Sequence, residues 1–402
     1  MSEIDDERFI GQRVKMYRKL RNMTQKQLGD FVGKSQSAIA QYESGFRPVA
    51  DRDVLYGLAL ALQVTVGDLT GHAEDKANPA VAAFHAQVPR IEAALMNQGH
   101  GDDPSDPRPL DALAADARRA LKIRMKNDYA TLGGILPGLI NDLYRHTASD
   151  DERTRLRAWS ELATAGFVTT LATKGLGFVS LAWNAAGATT EAARIVGDPG
   201  AMAAAEFARA QVLLSTPGSL RASLAHSAGG ADRLQSELTS PEGAELYGML
   251  HLQAGLTSAA VGQDPAAHIR EAAETVRRSG DGSAFELAFG AENVTVWRMS
   301  IANEQRRPGA VIEIAESINP EAITTEDRKS RYFIELGRAH VAEKNYRAGM
   351  SALLRAELVA PQQVRSRTVV KELVGHMLRR AQRELATGEL GKLAQRVGAV
   401  PA

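Results

Sequence analysis

Residues 24–45, TQKQLGDFVGKSQSAIAQYESG, decide how the N-terminal part of this chain folds. The pattern predicts two short helices, Gln25–Val32 and Gln36–Glu43, joined by a tight turn. Gly33 suits the left-handed position that ends the first, and Ser35 suits the cap that starts the second. Leu28, Phe31, Val32, Ile39 and Tyr42 recur at helical spacing and are expected to form one small shared core. Lys34, Gln36, Ser37 and Gln41 are left facing outward. A solvated surface helix would carry more charge than this; a row of short polar side chains suits a helix that reads something.

A helix fits the B-DNA major groove, and side-chain amides there can pair with a base edge, most naturally adenine N6 and N7. Gln25 stands in the first turn of the preceding helix, where free backbone N–H groups and the helix dipole favour a phosphate. Backbone positioning and base reading therefore have separate candidates. Charge agrees. From Arg8 to Arg52 there are ten Lys and Arg against Asp30, Glu43 and Asp51, a local excess of seven positive charges in a chain whose 48 basic and 48 acidic residues balance overall. The alternative is a generic small helical bundle with a basic face.

Residues 8–70 resemble the helix-turn-helix domain of the Xre/Cro and phage-repressor family. The resemblance rests on the Thr24-Gln25 pair, the Ser35–Gln41 stretch, and Glu43 with Gly45. It implies a five-helix domain over 1–72 that binds double-stranded operator DNA. It also implies that Gln25 and Arg47 hold the DNA backbone while Gln36, Ser37 and Gln41 face bases, with Lys34 and Ser35 completing the contact set. The family pairs an arginine of the first helix with the glutamate ending the third, here Arg18 and Glu43. Gly29 to Ser35 superficially suggests a phosphate-binding loop, but the spacing is one residue short and no strand precedes it.

A length of 402 residues allows two or three domains. Aromatic residues make up only 5%, and Ala and Leu fill the core instead, which favours helices over sheet. The absence of cysteine excludes a disulfide framework and thiolate metal sites. The chain opens on acidic MSEIDDE, without a basic-then-apolar leader. Leu162 to Trp183 is long enough to span a membrane, but Lys174 near its middle would be expensive in lipid. A buried pair of helices broken at Lys174-Gly175 is expected there, with the protein in the cytoplasm and no membrane partner.

In chain order, an acidic tail at 1–7 precedes a helix from about Glu7 to Asn22. After the reading pair, Phe46-Arg47-Pro48 makes a turn, Asp51–Leu62 and Val66–Leu69 complete the domain, and Gly71 starts the exit. Val81, Phe84, Val88, Ile91 and Leu95 then form an a/d seam interrupted at Pro89. The seam suits either contact between two chains or packing within one. GHGDDPSDPRP, residues 99–109, has no apolar face and reads as a linker, so 73–109 is taken as a linker with a short amphipathic helix.

Residues 110–402 read as helix after helix. In YFIELGRAHVAEKNYRAGMSALLRAELVAP, residues 332–361, the positions Leu336-Gly337, His340, Gly349, Leu353, Ala356 and Pro361 fall at tetratricopeptide spacing. His340 and Gly349 depart from the usual aromatic and Ala. Fainter units surround Gly290, Tyr247-Gly248 and Ala182-Trp183. Helical hairpins of this kind bury their apolar faces by stacking into a solenoid. The fold class expected for the whole chain is therefore all-α. The runs FGAENV, IAESINPEAI, LGRAH and VRSRTVVKELVGHMLRR are similar to the tetratricopeptide-like sensor half of actinobacterial Xre-type regulators. That resemblance implies a groove, which in regulators of similar layout holds short signalling peptides.

Within that half, Phe289, Asn293 and Trp297 share a helix face at i, i+4, i+8, and Arg298 follows. They suit a ligand groove in which the amide holds a peptide backbone and the guanidinium meets a carboxylate. They equally suit packing, with Asn293 satisfying a buried backbone group. The nine histidines are scattered without ligand spacing, so no metal site is expected. No cofactor motif, nucleophile elbow or catalytic carboxylate pair is present either, and an enzyme is not expected. These observations together point to a sequence-specific transcriptional regulator, dimeric, with a peptide or small-molecule effector in its helical repeats. The alternative is a scaffold or adaptor that grips a partner protein with those repeats.

Overall fold

The breaks read from the sequence at Gly33, Pro48, Lys174-Gly175 and Pro361 fall at or near helix boundaries. The computed structural model describes residues 9–70, 79–101, 105–238, 240–380 and 388–399, and these residues contain helices and no strand. The acidic tail at 1–7, the beginning of the first helix before residue 9, the exit at Gly71 and the middle of the 99–109 stretch lie outside the described residues. The chain forms two compact units. One comprises Met1–Asn78, Ala260–Gly262 and Arg298–Ala402; the other comprises Pro79–Ala259 and Gln263–Trp297.

The first unit begins with α1 (Ile10–Leu20), α2 (Gln25–Val32), α3 (Gln36–Glu43), α4 (Arg52–Ala61) and α5 (Val66–Thr70). Ile10, Val14, Leu28, Ile39, Tyr42, Val54, Leu58, Leu62 and Leu69 close into one core. Phe31, expected in that core, is 74% exposed. The inward stripe of α2 runs through Leu28, Gly29 and Val32, and Phe31 lies beyond its edge, next to the polar side formed by Lys26, Gln27 and Asp30.

In the second unit follow α6 (Pro79–His85), α7 (Val88–Asn97), α8 (Leu110–Met125), α9 (Tyr129–Thr147), α10 (Glu152–Gly175), α11 (Val179–Val196), α12 (Pro199–Leu213), α13 (Leu220–Arg233), α14 (Pro241–Ala260) and α15 (Ala266–Ser279). Val81, Phe84, Val88, Ile91 and Leu95 are buried in one core with Leu132, Leu136 and Ile140 of α9. The apolar seam thus packs within the chain. The helices at 79–97 are built into this unit, where a linker helix was expected, because their apolar stripe finds its partner in α9. The apolar run from Leu162 is the end of α10, which stops at Gly175; Gly177, at φ +87°, turns the chain into α11. Lys174 donates to Gln211 Oε1 at 3.0 Å. Among the described residues no helix is long and apolar enough to cross a membrane.

Helix α16 (Ala291–Glu304) leads back to the first unit, which continues with α17 (Pro308–Glu316), α18 (Glu326–Ala342), α19 (Tyr346–Val359), α20 (Pro361–Ser366), α21 (Thr368–Arg380) and α22 (Glu389–Val397). The tetratricopeptide spacing falls on α18 and α19. A methyl on Gly337 would lie 3.0 Å from the Leu353 side chain, and one on Gly349 would lie 2.8 Å from Val341. The small residues mark where the paired helices touch. Tyr332 donates to the Ala315 carbonyl at 3.0 Å and ties α17 to α18.

These C-terminal hairpins belong to the same compact unit as α1–α5. A division into 1–72, 73–109 and 110–402 does not describe that grouping. The reason is a set of long-range polar contacts. The Val49 N–H donates to buried Glu372 Oε1 at 3.1 Å, Arg306 meets Asp53 at 2.7 Å and Asp51 at 3.2 Å, and Arg380 donates to the Phe46 carbonyl at 3.1 Å.

Candidate nucleic-acid interface

The turn between α2 and α3 is set by local chemistry. Thr24 caps α2, its Oγ1 accepting from the Gln27 N–H at 3.1 Å while Gln27 Oε1 accepts from the Thr24 N–H at 2.8 Å. Such a reciprocal pair satisfies two of the free donors at a helix start. Gly33, at φ +64°, ends the helix, and the Lys34 N–H donates to the Gly29 carbonyl at 2.8 Å. A side chain on Gly29 would lie 2.5 Å from the Lys34 carbonyl oxygen, so the turn folds tightly against the helix it leaves. Ser35 Oγ then accepts from the Ala38 N–H at 3.2 Å and starts α3.

With Ile39, Tyr42 and Glu43 buried, α3 leaves Ser35, Gln36 and Ser37 exposed at its N-terminal end, with Lys34 and Gln41 half-buried. Arg47 is exposed just beyond the helix. Its N–H donates to the Gln41 carbonyl at 3.1 Å, and its guanidinium lies 5.2 Å from the Tyr42 ring centroid and 3.8 Å from Asp51. The Lys34 ammonium stands 3.5 Å from Asp53. Lys34, Ser35, Gln36, Ser37, Gln41 and Arg47 thus come together on the α3 side of the domain.

Gln25 behaves differently from the expectation that it points at a phosphate. Its Nε2 donates to Glu43 Oε2 at 2.9 Å, turned inward. Glu43 also receives Arg18 Nε at 2.5 Å and Nη2 at 2.8 Å, and Arg18 Nη1 donates to the Met23 carbonyl at 2.7 Å. The hydrogen bond to Glu43, reinforced by its charge, outweighs burial and raises the Arg18 pKa. One buried network therefore joins α1, the chain before α2, the first residue of α2 and the last of α3.

The residues read as a possible groove are placed otherwise. Phe289, Asn293 and Trp297 are buried, and Arg298 is exposed. Gly248 admits the Phe289 ring against α14, where any Cβ would overlap it. Asn293 Nδ2 donates to the carbonyls of Ala288 at 2.7 Å and Leu287 at 3.3 Å, anchoring an irregular stretch in which Phe285, Glu286 and Ala288 have positive φ. The i, i+4, i+8 stripe is a packing stripe. Sequence spacing missed one pairing in the second unit: His251 and His268 approach with Nδ1 atoms 3.0 Å apart, and burial pushes His251 down to about 4. Among the described residues no three His, Asp or Glu side chains gather as a metal site.

A family model described as helix-turn-helix matches residues 14–69, the span of most of α1 through α5. No curated protein matches the chain. Among solved structures, the crystal structure of Bacillus thuringiensis PlcR in complex with the peptide PapR7 and DNA is similar at 14% identity and a TM-score of 0.30, over 67% of this chain and 94% of that one.

Proposed function

From a helix-turn-helix domain whose second helix carries an exposed amide-bearing edge, we propose that this chain is a sequence-specific DNA-binding transcriptional regulator. It acts as a dimer and responds to a peptide or small molecule held by its helical repeats. The observation that carries the reading is the presentation of Ser35, Gln36 and Ser37 at the start of α3, beside exposed Arg47. In this reading Gln36, Ser37 and Gln41 meet base edges, and Lys34, Ser35 and Arg47 meet phosphates and sugars. Gln25 contributes by holding Glu43 in place, and it reaches a phosphate only by releasing that contact.

One such module covers a half-site, and two held about one helical turn apart bind far more tightly than either alone. An effector shifts the regulator only if it binds one arrangement of the reading heads better than another. Selection of bound duplexes from a random pool tests the proposal. The full chain should enrich one operator sequence, and Gln36→Ala with Gln41→Ala should lose that preference while keeping salt-sensitive binding to any duplex. Enrichment of the same operator by the double variant would show that α3 is not the reading element.

A further inference from the structure

Within the first unit, the C-terminal end of α3 and the loop after it face a cleft of about 510 Å³ whose other wall is made by α16, α18, α19 and α21. Its lining is rich in cations. Arg47, Arg306, Arg338, Lys344 and Arg380 line it, and Asp51 is the one carboxylate among the lining residues. Asp51 meets Arg306 at 3.2 Å, Arg338 at 3.4 Å and Arg47 at 3.8 Å. Behind the lining, Asp53 meets Arg306 at 2.7 Å and Glu304 meets Arg338 at 3.4 Å, which leaves Lys344 and Arg380 as the cations of the wall without a carboxylate among the described residues. The Lys344 side chain is exposed in the turn between α18 and α19 and makes no ion pair among the described residues.

The apolar part of the wall is aromatic. Phe46 is 57% exposed with the Arg380 guanidinium 3.6 Å from its ring centroid, and Tyr346 at the start of α19 also lines the cleft, its ring 5.8 Å from that of His376. At the base lies His376, 5% exposed, whose Nδ1 has no hydrogen-bond partner. Burial and the neighbouring Arg379 push this imidazole down to about 4, against a backbone hydrogen bond to Gly45 that raises it, so the ring is neutral with one donor and one acceptor nitrogen. A buried polar atom left unpaired is costly, and a bound group that pairs with it recovers that cost.

We propose that this cleft binds a small organic anion, a phosphate or carboxylate on an aromatic body, and that the bound anion competes with DNA for Gln41 and Arg47. Lys344 and Arg380, the latter with its guanidinium on the Phe46 ring, supply the charge that such an anion meets. The aromatic walls accept a flat body, in keeping with pockets that are largely apolar with a few convergent polar groups. Because Gln41 and Arg47 belong both to this cleft and to the proposed DNA contacts, anion and DNA oppose each other, and the opposition is reciprocal. The competition rests on the regulator reading; the anion site does not.

Calorimetric titration of the full chain with phenyl phosphate, inorganic phosphate and benzyl alcohol tests the site. Phenyl phosphate should bind once per chain and more tightly than either of the others. Lys344→Glu and Arg306→Gln should each weaken it by about fivefold, the scale of one partly exposed charge pair. Absence of saturable binding, or binding that both variants leave unchanged, overturns the site. In a second arm, saturating phenyl phosphate should release a labelled duplex from the wild-type chain at low ionic strength and release less from Lys344→Glu. Retention of the duplex, or a loss of duplex affinity in Lys344→Glu before any phenyl phosphate is added, overturns the competition. A chain that binds no duplex at all also ends the competition and refutes the regulator reading, while the titration still decides the anion site.

Discussion

Glu43, the last residue of α3, receives Arg18 of α1 in a two-pronged contact at 2.5 and 2.8 Å with both side chains buried. With Gln25 on the same carboxylate, this pair fixes the angle at which α3 leaves the domain. Removing one partner from a buried pair costs about 3–5 kcal/mol, because the other charge is left stranded. Glu43→Ala should therefore lose amide-exchange protection throughout α1–α3 and lose duplex binding, although Gln36, Ser37 and Gln41 are untouched. Replacing both partners, Arg18→Met with Glu43→Leu, should restore protection, since an apolar pair of similar volume is often no less stable.

Helix α1 packs tightly against α3 at Gly11. A methyl there would overlap the Tyr42 carbonyl and lie 2.6 Å from the Phe9 ring. Gly11→Ala is expected to push the helices apart and destabilise the domain by about 2 kcal/mol or more, as overpacking does. Gly33 has open space around it but φ +64°, so Gly33→Ala meets only backbone strain of about 1 kcal/mol. Thermal melts of the two variants should rank in that order.

The helix-turn-helix was legible because its signals are local. Gly33 and Ser35 state their backbone geometry within a few residues, and both helices have the bounds read from the sequence. Likewise Gly337 and Gly349 declare the α18–α19 contact by their size. What the sequence hid depends on partners far along the chain. Whether the Val81–Leu95 stripe packs within one chain or between two was decided by α9, and the grouping of α1–α5 with the C-terminal hairpins by pairs such as Val49 with Glu372. The Phe289–Trp297 stripe was ambiguous for the same reason: a groove wall and a packing face share one period.

Phe31 is the residue for which helical spacing and structure disagree most clearly. At 74% exposure its ring contributes little to the core. Phe31→Ala should change the unfolding midpoint in denaturant by an amount equivalent to less than about 0.5 kcal/mol, the ordinary range for surface positions. Leu28→Ala, on the inward stripe of the same helix, should cost about 2–5 kcal/mol.

In the second unit, Gly248 and Phe289 form a fitted pair. Gly248→Ala has no room for its methyl without displacing a fully buried ring, and a cost of about 1–3 kcal/mol is expected. Displacing the ring also moves the irregular stretch that Asn293 anchors. Limited proteolysis should therefore cut the variant near residues 284–288 faster than the wild-type chain. Equal rates would show that this stretch is held independently of Phe289.

Helix α21 carries two titrating groups whose effects oppose each other. His376 is held neutral down to about 4 by burial and by Arg379, against an ordinary value of 6.5. A group whose folded value is depressed contributes stability above its unfolded value and loses it as pH falls, here from 6.5 toward 4, by up to about 3 kcal/mol. Glu372, one turn earlier, is raised by burial, which outweighs Arg379 and the N–H groups of Val49 and Ile10. Its contribution is present at low pH and lost as pH rises through the folded value, so acidification restores what His376 loses. In the wild-type chain the two partly cancel. Melting midpoints followed by circular dichroism from pH 7 to 4 should separate them. Relative to wild type, Glu372→Gln should fall more steeply on acidification because only the histidine is left, and His376→Gln should fall less steeply. Parallel curves for the two variants would mean that neither group couples to the stability of this unit.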